Sequence, residues 1–270
     1  MNILIMSDME GVSGIVTWEQ VDGGAPMYEE GRVLYTEEIN AAVRGAFRAG
    51  AKRVVVVDCH GAGKGWQFNS LLPERLHPDC EWVAHHAWGR YTELLEEGCD
   101  AALMVGMHAR AGTPDGVMCH TISTVQWRNV WFNDDLVGEF GINAALCGHY
   151  NVPVLLCTGD DAVMREAQEI LGDGLTCVSV KKGLTRFSAR QIPPVRARQM
   201  IEDGAYQSLQ NLNATKPYQP AKPCAITVEI DTPDKVAPFM GRQGVEIVEP
   251  LKVVSRADDW MTAWNQIWHY

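Results

Sequence analysis

Several features are missing from this sequence, and each absence removes a class of protein. Its eight cysteines include no CxxC pair, and some, such as Cys157 in Val154-Leu155-Leu156-Cys157, sit inside apolar runs. Buried reduced thiols in a cytoplasmic protein, without disulfides, are the expectation. Basic residues are in the minority, 23 Lys plus Arg against 34 Asp plus Glu for a net charge of −11. A nucleic-acid partner is therefore not expected, since binding phosphates calls for a basic face. No stretch approaches the roughly 18 unbroken apolar residues of a membrane span, so no membrane partner is expected either. The opening MNILIMSDMEG has no basic flank and no cleavable apolar segment. It reads as a first strand, not a targeting signal. Internal repeats and low-complexity tracts are absent as well.

What remains is globular: 270 residues with a 46% hydrophobic share and 21% charged, enough to bury a full core without staples. Strand-length apolar runs lie at Ile3–Ser7, Arg53–Asp58, Ala101–Met107, Val152–Thr158 and Thr176–Val180. Each is continuously apolar, which suits strands covered on both faces. Helix-period segments lie between them, near Tyr35–Ala49, Tyr91–Glu97, Glu139–Tyr150 and Asp161–Leu171. This alternation predicts an α/β fold, a mostly parallel sheet flanked by helices. A Thr-, Val- and Trp-rich segment at Thr121–Trp131 reads as a strand or hairpin inserted between α/β units. Beyond Gly183 the texture changes. A helix is expected from Pro193-Pro194 to about Leu212, then a proline-rich connector over 216–223. Strands at Ala225–Ile230 and Glu246–Val248 and a Trp-rich helix at Asp258–His269 follow. The chain is thus read as an α/β domain over 1–185 and a smaller C-terminal α+β part over 186–270.

In open α/β sheets ligands gather at the carboxyl ends of strands. The first strand is followed by Asp8-Met9-Glu10-Gly11, the second by Asp58-Cys59-His60-Gly61, and the third ends in Met107-His108-Ala109-Arg110. The insert opens with Val117-Met118-Cys119-His120-Thr121, and the helix after it with Gly138-Glu139. Asp8 and Glu10, two residues apart, share a face of an extended backbone. Unpaired, they repel, and a divalent cation removes that cost. The imidazoles of His60 and His108 suit zinc, and Glu139 adds another carboxylate. Such a set exceeds one tetrahedral ion and fits two ions sharing a bridging carboxylate, a site that makes hydroxide near neutral pH. Plainer readings stand beside this one: Asp-x-Glu as a solvated turn or cap, His108 as a hydrogen-bonded core residue, His60 as a turn cap, His120 packed beside a strand.

Other motifs carry less. Gly61-Ala62-Gly63-Lys64-Gly65 lacks the GxxxxGK[ST] spacing of a phosphate loop and reads as a loop over the site. His85 and His86 are adjacent and point apart on a strand. Cys59 and Cys119 neighbour histidines in sequence, which places them on opposite sides of a strand from those rings. Trp260, Trp264 and Trp268, at four-residue spacing, read as helix packing or an oligomer surface.

Ser7-Asp8-Met9-Glu10-Gly11-Val12-Ser13-Gly14, Asp58-Cys59-His60 and Gly106-Met107-His108-Ala109-Arg110-Ala111 together resemble the DppA-type D-aminopeptidases, a family of dinuclear zinc peptidases. Gly116-Val117-Met118-Cys119-His120, Asn133-Asp134 with Val137-Gly138-Glu139, and Gly159-Asp160-Asp161 extend the resemblance to about residue 190. It implies two Zn²⁺ ions per chain, Asp8 bridging them, Glu10 and His60 completing one site, His108 and Glu139 the other. His120 corresponds to the family's catalytic histidine, as nucleophile or base. The resemblance also implies release of N-terminal, D-configured residues from short peptides such as D-Ala-D-Ala. A ring-shaped homo-oligomer, with a decamer as one form, is implied too. Two departures stand out: Cys59 where serine is common, expected to face away from the metals, and Asp115 as an extra loop residue before Gly116. Asp58 is read as a carboxylate orienting His60, and Arg110 as a partner for the product carboxylate. The rival readings are a dinuclear metallophosphoesterase, which normally carries Asp-x-His and Asn-His-Asp/Glu where this chain has Asp-x-Glu and no Asn-His-Glu, and a non-catalytic binding protein.

Overall fold

The computed structural model describes residues 1–268. Its seven-stranded sheet has the order β3 (Glu81–Val83), β2 (Arg53–Asp58), β1 (Asn2–Ser7), β4 (Ala101–Met107), β7 (Val154–Asp160), β8 (Thr176–Thr185), β9 (Ser188–Gln191). Every pairing is parallel except the β8–β9 hairpin. A second, antiparallel sheet has the order β11 (Val245–Glu249), β12 (Lys252–Ala257), β10 (Cys224–Ile230), β5 (Trp127–Phe132), β6 (Asp135–Val137). The helices are α1 (Tyr28–Arg48), α2 (Glu139–His149), α3 (Asp161–Leu171), α4 (Pro194–Ser208), the single turn α5 (Pro233–Val236) and α6 (Trp260–Ile267).

The apolar runs have a direct cause. Along β1, Ile3 and Ile5 enter one hydrophobic layer while Leu4 and Met6 enter the other. Both faces are covered, so no position along the strand is free to be polar. One layer lies beneath α1 and α4; the other joins α2, α3 and α6 to the second sheet. The expected α/β architecture, a mostly parallel sheet flanked by helices with a smaller α+β part, is what the chain adopts. The inserted segment is the hairpin β5–β6, and β5 pairs with β10. Strands from before and after residue 185 thus share one sheet, and the β8–β9 hairpin straddles that position.

Some elements differ from the sequence reading. The segment Tyr91–Glu97 is a succession of turns with Tyr91 and Leu94 at positive φ, not a helix. It is too short to nucleate alone, and Tyr91, Leu94 and Leu95 are buried one by one instead of along a helical face. Helix α1 begins at Tyr28, earlier than the apolar period shows, because its first turn carries Glu29, Glu30 and Gly31. Those acids suit a helix N-terminus, and Gly31 lies where a Cβ would stand 1.9 Å from the Gln20 carbonyl oxygen. The C-terminal helix spans Trp260–Ile267, and the expected end at His269 lies outside the described residues. Trp260, Trp264 and Trp268 stack in a ladder with centroids 5.5 and 5.2 Å apart, packed into the core.

The sheet positions the site through a close approach of two strand ends. The register of β4 against β7 shifts between Met104 and Met107, and Gly106 there has φ +78°. Its carbonyl accepts from Gly11 N–H at 2.8 Å, and its N–H donates to Thr158 Oγ1 at 3.0 Å. A Cβ on Gly106 would lie 2.0 Å from the Asp8 carbonyl oxygen. Glycine is required there by backbone conformation and by space alike. Gly106→Ala should lower stability by more than about 2 kcal/mol, read as a fall in denaturation midpoint at unchanged m-value.

Candidate metal centre

Asp8 and Glu10 leave the end of β1, His60 follows β2, His108 follows β4, and Glu139 is the first residue of α2. Parallel order β2-β1-β4 brings the three strand ends side by side. Asp8, Glu10, His60 and His108 are almost wholly removed from solvent. His60 Nδ1 lies 3.2 Å from Asp8 Oδ1 and 3.1 Å from Glu10 Oε2. His108 Nε2 lies 3.4 Å from Asp8 Oδ2 and 3.4 Å from Glu139 Oε1. The two oxygens of Asp8 therefore face two different imidazoles. His120 Nε2 stands 3.6 Å from Glu139 Oε1, and its ring stacks on that of His108 with centroids 4.1 Å apart.

Each ring's tautomer is set by a backbone carbonyl on its far side. His60 donates from Nε2 to Val21 O at 2.9 Å, His108 from Nδ1 to Ala109 O at 3.0 Å, and His120 from Nδ1 to Met118 O at 2.9 Å. The nitrogens aimed at the carboxylates are thus the ones with lone pairs to offer. This is the arrangement that fixes histidine ligands in metal sites.

The electrostatics are those of a site built for added positive charge. Burial opposes ionisation of Asp8, yet the adjacent His108 and His60 outweigh it and hold its carboxyl well below the usual range. Burial likewise opposes charge on His60, but Glu10 and Asp8 raise it well above an ordinary imidazole. Glu139 and Asp8 do the same for His108. Protons on the two rings balance the carboxylates, and a divalent cation supplies that charge through the same atoms. His108 Nε2 is buried and, among the described residues, faces nothing but the Asp8 and Glu139 carboxylates, the position of a ligand atom. Ligand atoms of Asp8, Glu10 and His108, and of His108, His120 and Glu139, lie within 4.8 Å of one another in each trio. The donor set fits a metal. His120 differs from the other rings: burial and the charge of His108 push its pKa down.

A cleft of ≈ 310 Å³ opens over these groups, lined also by Trp18, Trp88 and Ile122. Cys59 borders it, with its Sγ 3.7 Å from Val57 O and packed against the apolar core. Burial, with Asp58 and Asp8 nearby, raises its thiol well above the ordinary range, so it offers no thiolate. Cys119 is buried, its thiol directed at Thr113 O. Asp58 accepts from the backbone N–H of His60 and from Tyr35 Oη; it holds the chain of His60, not its ring. Arg110 is turned toward Glu166 and Glu169, at 3.6 and 3.9 Å, so it is spoken for.

Residues 1–269 match the D-aminopeptidase family model. The chain belongs to the D-aminopeptidase family. A D-aminopeptidase of Bacillus subtilis (strain 168) is 35% identical over 230 residues, covering 85% of this chain and 81% of that one. The solved structure of the Zn-dependent D-aminopeptidase DppA from Bacillus subtilis, described as a self-compartmentalizing protease, is similar with a TM-score of 0.90. It is 32% identical and covers 99% of this chain and 95% of that chain.

In this member of the D-aminopeptidase family, the groups that hold the ligand-bearing loops escaped the sequence reading. Glu38 accepts from Ser13 N–H, Asp160 from Val117 N–H, and Glu166 from both Arg110 N–H and Gly138 N–H. Buried Lys181 donates from Nζ to the carbonyls of Glu10, Val12 and Ile15 at 2.6, 2.8 and 2.7 Å. Burial lowers its pKa to about 8 against the pull of Asp160, Glu38 and Glu10. Its three donor bonds need the ammonium form. In sequence Lys181 only closes the apolar run of β8 and is followed by Lys182, so nothing there sets it apart. Lys181→Met leaves three buried carbonyls without a donor, and a loss of about 3 kcal/mol or more is expected. Chemical denaturation reads that loss, and elemental analysis should show reduced metal uptake because the loop carrying Glu10 is no longer held.

Proposed function

We propose that this chain is a zinc-dependent aminopeptidase that hydrolyses N-terminal D-amino acids from short peptides. Asp8, Glu10 and His60 would hold one ion, and His108, Glu139 and the second oxygen of Asp8 the other, two per chain. The supporting observation is the Asp8 carboxylate standing between two imidazoles whose tautomers are set to offer lone pairs. The zinc and the D-configured substrate come from the family and from the Bacillus subtilis relatives. Zinc held by these residues would supply Lewis-acid polarisation of a peptide carbonyl and hydroxide near neutral pH.

The chain's own residues supply the remainder. His120 faces the cleft, is kept neutral by burial and by its neighbour His108, and carries its proton on Nδ1. Its Nε2 can take a proton from the attacking water and return it to the departing amine. Trp18 packs edge-on against that ring at 5.5 Å and limits its rotation. The phosphoesterase and binding-protein readings have no comparable support.

Assembly into a closed homo-oligomer is proposed from the self-compartmentalizing relative. No helix among the described residues is long and apolar enough to cross a membrane. The eight free cysteines agree with a reducing, cytoplasmic setting.

Zinc-loaded protein should release D-alanine from D-Ala-D-Ala, prefer it to L-Ala-L-Ala, and stop on chelation. His120→Ala should lower turnover roughly 10²–10⁴-fold while metal content stays at the wild-type level. Metal lost together with activity would make His120 a ligand. No D-aminoacyl hydrolysis by wild-type protein would overturn the assignment.

A further inference from the structure

The carboxylates lining the cleft are those of Asp8, Glu10, Asp22 and Glu139. The proposed function commits three of them to cations. Asp22 is the one left, and among the described residues its carboxylate has no hydrogen-bond or ion-pair partner. Its backbone, by contrast, is firmly held. Asp22 N–H donates to Trp18 O at 2.8 Å, its carbonyl accepts from Ala25 N–H at 3.0 Å, and Gly23 N–H donates to Ala62 O at 2.7 Å. The preceding residue, Val21, provides the carbonyl that fixes the His60 ring. A rigid turn thus presents an unused anion at the His60 side of the cleft.

An aminopeptidase must distinguish a free amino terminus from an interior peptide bond. At neutral pH that difference is one positive charge, and a fixed carboxylate reads it. We propose that Asp22 receives the α-ammonium of the substrate's N-terminal residue and so restricts the site to peptides with a free amino end. This rests on the aminopeptidase reading and deepens it.

The placement also gives the peptide a direction. The N-terminal residue lies toward His60 and Glu10, and the leaving amine toward His120. A second cleft, of ≈ 530 Å³, shares His120, Ser123 and Thr124 with the first and continues past Gly112 and Thr113. It provides room for the part of the peptide beyond the scissile bond. Burial raises the pKa of the Asp22 carboxyl, with Lys64 and His60 opposing and Glu10 adding to the rise. An arriving ammonium adds a direct partner to an anion that Lys64 and His60 offset only at a distance.

The test uses zinc-loaded full-length protein with D-Ala-D-Ala and N-acetyl-D-Ala-D-Ala. Wild type should cleave the first and reject the second. Asp22→Asn should keep its metal, raise KM for D-Ala-D-Ala roughly 10–100-fold with a smaller effect on kcat, and lose much of the discrimination against the acetylated peptide. Asp22→Glu, which keeps the charge, should recover part of both. Asp22→Ser provides the same comparison if the asparagine variant does not fold. Unchanged KM and discrimination in the charge-neutral variants would overturn the proposal while the aminopeptidase assignment stands. Loss of metal in them would make Asp22 a ligand and overturn it as well. Equal cleavage of both peptides by wild type, or of neither, would instead remove the aminopeptidase reading on which the proposal depends.

Discussion

The carboxylate of Asp8 lies between two imidazoles that come from different strands, one oxygen toward His60 and the other toward His108. Most of what surrounds it follows from keeping that carboxylate buried and charged. A lone ionised carboxylate in a protein interior is expensive, so opposite charge must meet it on both sides. The sheet order provides this, because β1 lies between β2 and β4 and pairs with both in parallel. The loops leaving three adjacent strands at one edge can then converge on a single point, as at the carboxyl ends of open α/β sheets generally.

Convergence alone does not hold such loops still. Here they are fixed chiefly through their backbones, by charged side chains buried for that purpose. Asp58 accepts from the backbone N–H of His60, and Glu38, Asp160 and Glu166 accept from those of Ser13, Val117, Arg110 and Gly138, each within three residues of Glu10, His120, His108 or Glu139, while Lys181 donates to three carbonyls of the Glu10 loop. These groups never touch the reacting atoms. They hold the proposed ligands in place independently of any cation, so a cation bound among them would meet a preset geometry at small reorganisation cost.

Much of this was legible in the sequence because the site's residues sit at strand ends, where an apolar run stops abruptly at an acid or an imidazole. Ser7-Asp8-Met9-Glu10 and Val57-Asp58-Cys59-His60 are such stops, and the structure brings together all the residues they pointed to. Hidden from sequence were the groups whose role depends on contacts distant along the chain. Lys181 and Glu38 look like ordinary members of a strand and a helix until their partners across the fold are known. The carbonyls of Val21 and Ala109, which choose the imidazole tautomers, leave no mark on residue identity at all. In the fold, the covered strands of the large sheet were plain, whereas the edge strands β3 and β9, which need no apolar run, and the inner strand β12, which buries only Val253, Val254 and Ser255, were not. The segment around Leu94 misled because its apolar residues are spaced as on a helix but enter the core from turns.

One measurement bears most directly on the sharing of Asp8: anomalous diffraction at the zinc absorption edge from crystals of the zinc-loaded protein. The account predicts two peaks flanking the Asp8 carboxylate, one within ligating distance of Glu10 and His60, the other of His108 and Glu139. A single peak, or density away from Asp8, would contradict it.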